Sequence, residues 1–263
     1  MSSLPAATLD RVAAALATAA RITVLTGAGV SAPSGVPTFR GAGGLWRSFR
    51  AEDLATPEAF GRDPAMVWEW YDWRRGLIAA CAPNSAHHVL AAWSRRFPHF
   101  TLVTQNVDGL HERAGTESVV RLHGSIWDVA CWRDCGREPR RWRDDRVPLP
   151  DLPPVCDACG GPLRPGVVWF GESLDPRDLA AATAAARCDV FLTIGTSAVV
   201  HPAAGLIDLA RAHGATTIEI NPDATAAAHL VDLALAAGAE TALPAIDARL
   251  GGRDAFATGS SRD

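Results

Sequence analysis

Short apolar runs that end in glycine or polar residues recur along this chain, and this pattern most constrains its fold. The runs are rich in β-branched residues and have the length of buried strands. They cover residues 22–26, 99–103, 119–122, 189–194, 216–220 and 231–236. In an open α/β sheet, ligands bind beyond the carboxyl ends of the strands. We therefore predict an α/β fold with a Rossmann-like parallel sheet whose edge is lined for a nucleotide.

The first run leads directly into Gly27-Ala28-Gly29-Val30-Ser31-Ala32. This pattern is typical of a strand followed by a glycine-rich turn, where backbone N–H groups can approach a pyrophosphate. A tight glycine turn without a ligand explains the same residues equally well. Ser34-Gly35-Val36-Pro37 predicts that the chain continues as a loop and not as the usual long helix.

Polar side chains gather after two neighbouring runs. Gln105, Asn106 and Asp108 follow residues 99–103, and His123 follows residues 119–122. Histidine titrates near neutrality, so His123 at a strand end is a candidate general base. The alternative is that the amides cap a loop and that His123 is a core histidine with satisfied hydrogen bonds.

Composition excludes several classes of partner. A net charge of −4 favours neither nucleic acid nor an anionic membrane. No apolar run approaches the roughly 20 residues of a membrane span, and the N-terminus does not resemble a signal peptide, so we expect a cytoplasmic protein. All 25 Lys and Arg residues are arginine, which excludes Schiff-base lysine chemistry.

Four of the six cysteines form two closely spaced pairs, each followed by glycine: Cys131–Cys135 and Cys156–Cys159. This pattern predicts a closed, structural Cys₄ zinc site. The first pair has three intervening residues where two are commoner, which loosens the expected geometry. We expect Cys81 and Cys188 to be small buried residues outside the metal site.

Residues 45–93 show helical periodicity and are rich in tryptophan. Tyr71, the single tyrosine of the chain, and Arg74 share a helix face in this region. A phenol beside a guanidinium suits a carboxylate ligand. A packed tyrosine beside an arginine on a solvated helix face is the alternative. Residues 167–172 are predicted to be extended.

These motifs together resemble the sirtuins, a family of NAD-dependent protein lysine deacylases. The resemblance covers about residues 20–244. It is carried by motifs that follow one another along the chain: Gly27–Ser31, Pro37–Arg40, Thr104–Gly109, Leu122–Gly124, the four cysteines, Val168–Glu172, Gly195–Ser197 and Asn221.

The family resemblance implies two domains. The Rossmann-like NAD-binding domain comprises residues 1–44, 95–125 and 167–249. A smaller domain is formed by a helical insertion, residues 45–94, and a zinc-binding insertion, residues 126–166. Residues 250–263 are predicted to be a disordered tail. The sequence carries no prediction of oligomeric state.

The resemblance also implies a reaction between NAD and an acyl-lysine protein or peptide in the cleft between the domains. The acyl oxygen attacks the nicotinamide ribose, nicotinamide leaves, and His123 activates a ribose hydroxyl on the way to O-acyl-ADP-ribose. The implied cofactor-binding residues are Gly27, Ala28, Gly29, Ser31, Phe39, Arg40, Gln105, Asn106, Asp108, Gly195, Thr196, Ser197, Asn221 and Ala239. The implied substrate-binding residues are Ala55, Tyr71, Arg74, Val168, Trp169, Phe170 and Gly171.

The Tyr-x-x-Arg pattern is similar to the sirtuin branch that removes succinyl, malonyl or glutaryl groups, and the small Ala55 agrees with a wide acyl channel. Arg74 is then expected to pair with the distal carboxylate of the acyl group, and Tyr71 to hydrogen-bond it. Acetyl groups are expected to be removed as well. Pro33, where many relatives carry an acidic residue, departs from the family pattern.

Other functions remain open from the sequence alone. Mono-ADP-ribosyl transfer and NAD hydrolysis keep the cofactor but need no ribose-hydroxyl activation, so His123 favours deacylation over both. A catalytically silent NAD-sensing or zinc-dependent module predicts no nicotinamide release. A hydride-transfer oxidoreductase predicts reduced nicotinamide as product.

Overall fold

A computed structural model describes residues 4–37, 45–46, 49–197, 203, 205–223, 225, 229 and 231–257 of the chain. The strands, in chain order, are β1 (Ile22–Thr26), β2 (Leu45–Trp46), β3 (Phe49–Arg50), β4 (Phe100–Thr104), β5 (Val119–Arg121), β6 (Gly124–Cys131), β7 (Arg141–Arg143), β8 (Leu163–Val167), β9 (Val190–Ile194), β10 (Thr216–Ile220) and β11 (Leu233–Leu235). The helices are α1 (Ala6–Thr18), α2 (Ala51–Leu54), α3 (Pro57–Arg62), α4 (Pro64–Ala80), α5 (Ser85–Arg96), α6 (Leu110–Arg113), α7 (Pro176–Ala185), α8 (Gly205–Ala212) and α9 (Ala239–Ala257).

A parallel sheet of six strands in the order β11-β10-β9-β1-β4-β5 forms the large domain. Every predicted apolar run forms one of these strands, so the Rossmann-like α/β prediction is confirmed. All five residues of β1 are buried, as expected for a central strand covered on both faces.

The side chains of neighbouring residues in a strand point to opposite faces of this sheet. Val24 of β1 packs in a core with apolar side chains of α1, α5 and α9, such as Leu16 and Leu243. Leu25, the next residue, packs instead in a core with α7 and α8, including Ile207. Helices therefore cover both faces, and the carboxyl ends of the strands remain at one open edge.

The smaller domain has a core of its own that contains residues from both insertions. Strands β7, β6 and β8 form an antiparallel sheet, with neighbours in that order. Helix α4 is tied to this sheet because the indole N–H of Trp68 donates to the carbonyl oxygen of Leu163, with N and O 2.7 Å apart. The Arg75 side chain likewise donates through Nε to the carbonyl oxygen of Ile126 at 2.8 Å.

Two local predictions are corrected. The predicted tail is helical in its first part, because α9 continues to Ala257 and Leu250, 1 % exposed, extends the apolar stripe of this helix onto the core. The predicted extended run is a strand only as far as Val167, since Phe170 and Gly171 form a turn in which Gly171 has a φ of 86°. Among the described residues, no helix combines the length and apolarity needed to cross a membrane.

Candidate active site

The loops after β1 and β9 approach each other so closely that glycine is needed on both. The Gly29 N–H donates to the carbonyl oxygen of Gly195 across 2.8 Å. A Cβ added to Gly27 would lie 2.8 Å from that oxygen, and one on Gly195 would lie 2.5 Å from the Val30 nitrogen. Gly195 also has a φ of 59°, in the left-handed region that favours glycine.

The chain after this turn forms two short 3-10 helices, Ala28–Val30 and Ala32–Ser34, which agrees with the prediction that no long helix follows. Pro33 lies in the first turn of the second one and is exposed. Its missing N–H removes no hydrogen bond there, because the first N–H groups of a helix have no partner within it. The family departure at this position is therefore compatible with the fold.

Polar side chains connect the ends of β1, β4 and β9 into one network. The Asn106 amide donates to the Gly27 carbonyl oxygen at 3.1 Å and to the Ser31 hydroxyl at 3.3 Å. The Gln105 amide donates to the Thr196 hydroxyl at 2.9 Å. The predicted polar residues thus meet at the carboxyl edge of the sheet, where this topology favours nucleotide binding.

The network continues towards β10. The Asn221 amide donates to the carbonyl oxygen of Thr196, with N and O 2.9 Å apart. Ala239 is 3 % exposed and begins α9, and Ser197 is half-buried after β9. Phe39 and Arg40, two of the implied cofactor-binding residues, lie outside the described residues.

Asp108 is a buried carboxyl group beside this network, with 4 % of its surface exposed. Its side chain accepts a hydrogen bond from the Leu110 N–H at 2.8 Å. Burial raises the pKa of Asp108, whereas the hydrogen bonds from Leu110 and Ser31 and the nearby Arg74 guanidinium act against this rise. Asp108 therefore links the strand-end cluster electrostatically to Arg74.

His123 follows β5 and is half-buried. Its Nδ1 lies 3.0 Å from the carbonyl oxygen of Gln105. A carbonyl can only accept, so Nδ1 carries the proton and Nε2 keeps a lone pair. Burial lowers the pKa of His123, with the Gln105 hydrogen bond acting in the opposite direction. His123 is thus oriented as a neutral base, and its own carbonyl oxygen accepts from the Val168 N–H at 3.0 Å.

Tyr71 and Arg74 lie on α4 and are both buried, with 4 % and 6 % exposure. Arg74 therefore does not lie on a solvated helix face. Its guanidinium lies 5.2 Å from the ring centroid of Trp70, and burial lowers its pKa while Tyr71 and Asp108 raise it. Burial also raises the pKa of Tyr71 well above its ordinary value, so the phenol stays protonated.

The segment after β8 borders this pair. Trp169 is 2 % exposed, and its indole N–H donates to the Tyr71 hydroxyl across 2.9 Å. The Phe170 N–H donates to the carbonyl oxygen of Ala55 at 2.9 Å, while the Phe170 ring is 48 % exposed. The segment thus binds to the helical insertion through two hydrogen bonds and presents an aromatic side chain at the surface.

The four cysteines predicted to bind zinc form a cluster in which all sulfur atoms lie within 4.8 Å of one another. The additional residue of the first pair is accommodated because Asp134 adopts a left-handed φ of 44°, a conformation that aspartate tolerates better than most residues. The Gly161 N–H donates to the Cys159 sulfur at 3.4 Å. This donor set fits a tetrahedral structural zinc ion. Cys81 and Cys188 lie outside the cluster and are buried, as predicted.

Two buried histidines of the site were missed from the sequence. His87 Nε2 lies 3.4 Å from the Ser31 hydroxyl, and His111 Nε2 lies 3.0 Å from the Thr26 hydroxyl. Burial lowers the pKa of His87 to about 3 and that of His111 to about 4, so both are neutral. The sequence did offer one signal for His87. Asn84 is the N-cap of α5, and its side chain forms a capping box with the side chain of His87.

A family model described as the Sir2 family matches residues 27–202 of this sequence. The chain belongs to the Sir2 family. The matched range includes the glycine turn, the strand-end cluster, His123, Tyr71, Arg74 and the four cysteines.

Curated Sir2 relatives are similar over most of their length. A protein of Aquifex aeolicus called NAD-dependent protein deacylase is 55 % identical over 78 % of this chain and 84 % of its own. NAD-dependent protein deacylase 1 of Pseudomonas aeruginosa is 51 % identical over 79 % and 85 %. A solved complex of a Sir2 homologue with NAD superimposes with a TM-score of 0.86 at 42 % identity, covering 94 % of each chain.

Proposed function

We propose that this chain is an NAD-dependent protein lysine deacylase that removes succinyl and malonyl-type groups, and also acetyl groups, from lysine side chains. Relatives about half identical to it are called NAD-dependent protein deacylases, which supports the reaction class. The four thiolate ligands need a reducing compartment, which supports a cytoplasmic location.

We assign NAD to the edge of the sheet where β1, β4, β9 and β10 end. Gly27 and Gly29 let the loops after β1 and β9 approach each other closely, and we assign the phosphates to the surface that these loops form, with Ser31, Asn106 and Asp108 at the nicotinamide ribose. Thr196, Ser197 and Asn221 take the adenosine half. When bound, NAD supplies the electrophilic ribose carbon and the hydroxyl that receives the acyl group. The chain's part is to orient both substrates and exclude water.

His123 is the proposed general base. Its Nδ1 proton is held by the Gln105 carbonyl oxygen at 3.0 Å, which leaves Nε2 to accept a proton from a ribose hydroxyl. The lowered pKa keeps the imidazole neutral at physiological pH. This arrangement favours acyl transfer to ribose over ADP-ribosyl transfer to another nucleophile, which does not require that base.

The observation that carries the acyl preference is the burial of both Tyr71 and Arg74 on one face of α4. Because these positions are shielded from water, a guanidinium there attracts an anion more strongly than one at the surface does. A carboxylate at the end of the acyl chain can accept from Arg74 and from the Tyr71 hydroxyl together. Ala55, 5 % exposed, adds little bulk to the path that such a group would take.

The segment Val168–Gly171 is the proposed contact for the substrate backbone. The N–H groups of Val168 and Phe170 already donate to the carbonyl oxygens of His123 and Ala55, so the carbonyl oxygens of Val168 and Phe170 are the proposed acceptors for an extended peptide added as a strand. The exposed Phe170 ring then contacts residues that flank the acyl-lysine.

The test offers the purified protein one lysine peptide that carries acetyl, malonyl, succinyl or glutaryl groups, with NAD, and follows product masses. We expect nicotinamide and O-acyl-ADP-ribose, with higher kcat/KM for the acidic groups. Removal of acetyl alone would retain deacylation but overturn the acidic preference. NAD consumption without deacylation would instead indicate an ADP-ribosyltransferase or NAD hydrolase.

A further inference from the structure

The contact between Trp169 and Tyr71 fixes the direction of one hydrogen bond. The two atoms, indole Nε1 and phenol Oη, lie 2.9 Å apart. An indole N–H can only donate, so the Tyr71 oxygen accepts and its own proton is left to be donated elsewhere. In the described part of the chain, no acceptor engages that proton. Tyr71 is therefore held as a donor beside Arg74.

The Trp169 ring is itself held firmly. The Arg164 guanidinium lies 3.8 Å from its ring centroid, and the Phe60 ring lies 5.3 Å from it. The backbone N–H of Trp169 donates to the Glu172 carboxylate at 2.8 Å, and the same carboxylate pairs with Arg164 at 2.6 Å. These contacts leave the indole little freedom to rotate, so its N–H is directed at Tyr71 before any substrate binds.

We propose that Trp169 is a positioning residue that sets acyl selectivity through the Tyr71 hydroxyl. A carboxylate is only an acceptor, so it gains from a phenol whose lone pair is already engaged and whose proton is free. An acetyl group ends in a methyl and gains nothing from that proton. This inference rests on the acidic-acyl preference proposed above and adds the residue that orients its hydroxyl donor.

The experiment is a double-mutant cycle with Trp169→Phe, Tyr71→Phe and both together, measured as kcat/KM for succinyl and acetyl peptides. Because a neutral hydrogen bond contributes modestly, we expect Trp169→Phe to lower the succinyl-to-acetyl ratio about 2- to 10-fold. In the Tyr71→Phe background, the same substitution should leave the ratio nearly unchanged, since the hydroxyl it orients is gone.

Trp93→Phe is the matched control, because it removes an indole hydrogen bond to Asp247, 2.8 Å long, away from the site. It should leave the ratio unchanged. If Trp169→Phe does not fold, benzothienylalanine at position 169 removes the N–H and keeps the ring volume. The inference is overturned if either replacement of Trp169 leaves the succinyl-to-acetyl ratio of kcat/KM unchanged. It is also overturned if Trp169→Phe lowers this ratio as much in the Tyr71→Phe background as in the unmodified protein.

The Arg74→Met variant separates this inference from the proposed function. If Arg74→Met lowers the ratio and the Trp169 replacements do not, only the role of Trp169 fails. If neither change affects the ratio, the acidic-acyl preference itself fails, and the role of Trp169 fails with it.

Discussion

The carbonyl oxygen of Gln105 lies 3.0 Å from Nδ1 of His123, and this contact orients the imidazole. Gln105 directly follows β4, and its N–H donates to the Thr26 carbonyl oxygen at 3.0 Å. The carbonyl that holds His123 thus directly follows a strand of the central sheet. The orientation of the imidazole is therefore tied to the end of β4.

This contact leads to a prediction about pH. Burial lowers the pKa of His123 below its ordinary value of 6.5, and a base must be neutral to act. The kcat/KM for deacylation should therefore stay high below pH 6.5 and fall only as the pH drops further through the lowered pKa. A pH profile measures this. A midpoint at or above 6.5 would contradict the assignment, and His123→Gln should remove activity throughout.

A second prediction concerns Arg74. Arg74→Met removes the charged donor but keeps an apolar stem in the buried site. Because hydrogen bonds to charged groups contribute about 1.5–3 kcal/mol, kcat/KM for a succinyl peptide should fall roughly 10- to 100-fold and that for an acetyl peptide far less. Arg62→Met, an exposed position on α3, is the control and should change neither. If kcat/KM falls equally for the succinyl and acetyl peptides, Arg74 stabilises the structure and does not select the acyl group.

Loss of the metal should destabilise the smaller domain without directly removing the base. Cys156→Ala takes away one of four thiolates, so we expect loss of the zinc ion and a fall in Tm of roughly 5–10 °C or more. Metal analysis and thermal denaturation measure the two effects. Cys188→Ala, a buried cysteine outside the cluster, should retain zinc. Full zinc content in the Cys156 variant would contradict the Cys₄ site.

The loop contact between Gly195 and Val30 predicts a strong difference between two glycines. Gly195→Ala combines a left-handed φ of 59° with a Cβ only 2.5 Å from a backbone nitrogen. The free energy of unfolding should therefore fall by about 2–4 kcal/mol. Gly76 is exposed within α4, and a Cβ there meets nothing within 4 Å.

The matched change, Gly76→Ala, should stabilise the protein by about 0.5–1 kcal/mol because alanine favours the helix. Chemical denaturation gives both free energies of unfolding. Similar effects of the two changes would show that the loops do not meet as described.

Local patterns were sufficient for most of the architecture. Apolar runs such as Ile22–Thr26 and Val190–Ile194 predicted strands, because burial on both faces of a parallel sheet demands continuous apolar sequence. The spacing of Cys131, Cys135, Cys156 and Cys159 predicted the metal cluster, since a thiolate site imposes its own short-range geometry. The end of α9 was misjudged because Leu250 is held by packing on the core and not by a local signal.

Residue identity and order by themselves determined the sheet, the glycine turn, the cysteine cluster and the candidate base. Only the tertiary structure decided that Arg74 is buried, that His87 reaches Ser31 and that Trp169 donates to Tyr71. The last two pairs lie 56 and 98 residues apart. Strands and turns follow from neighbouring residues, whereas these contacts depend on how two insertions pack against the sheet, which no local pattern encodes.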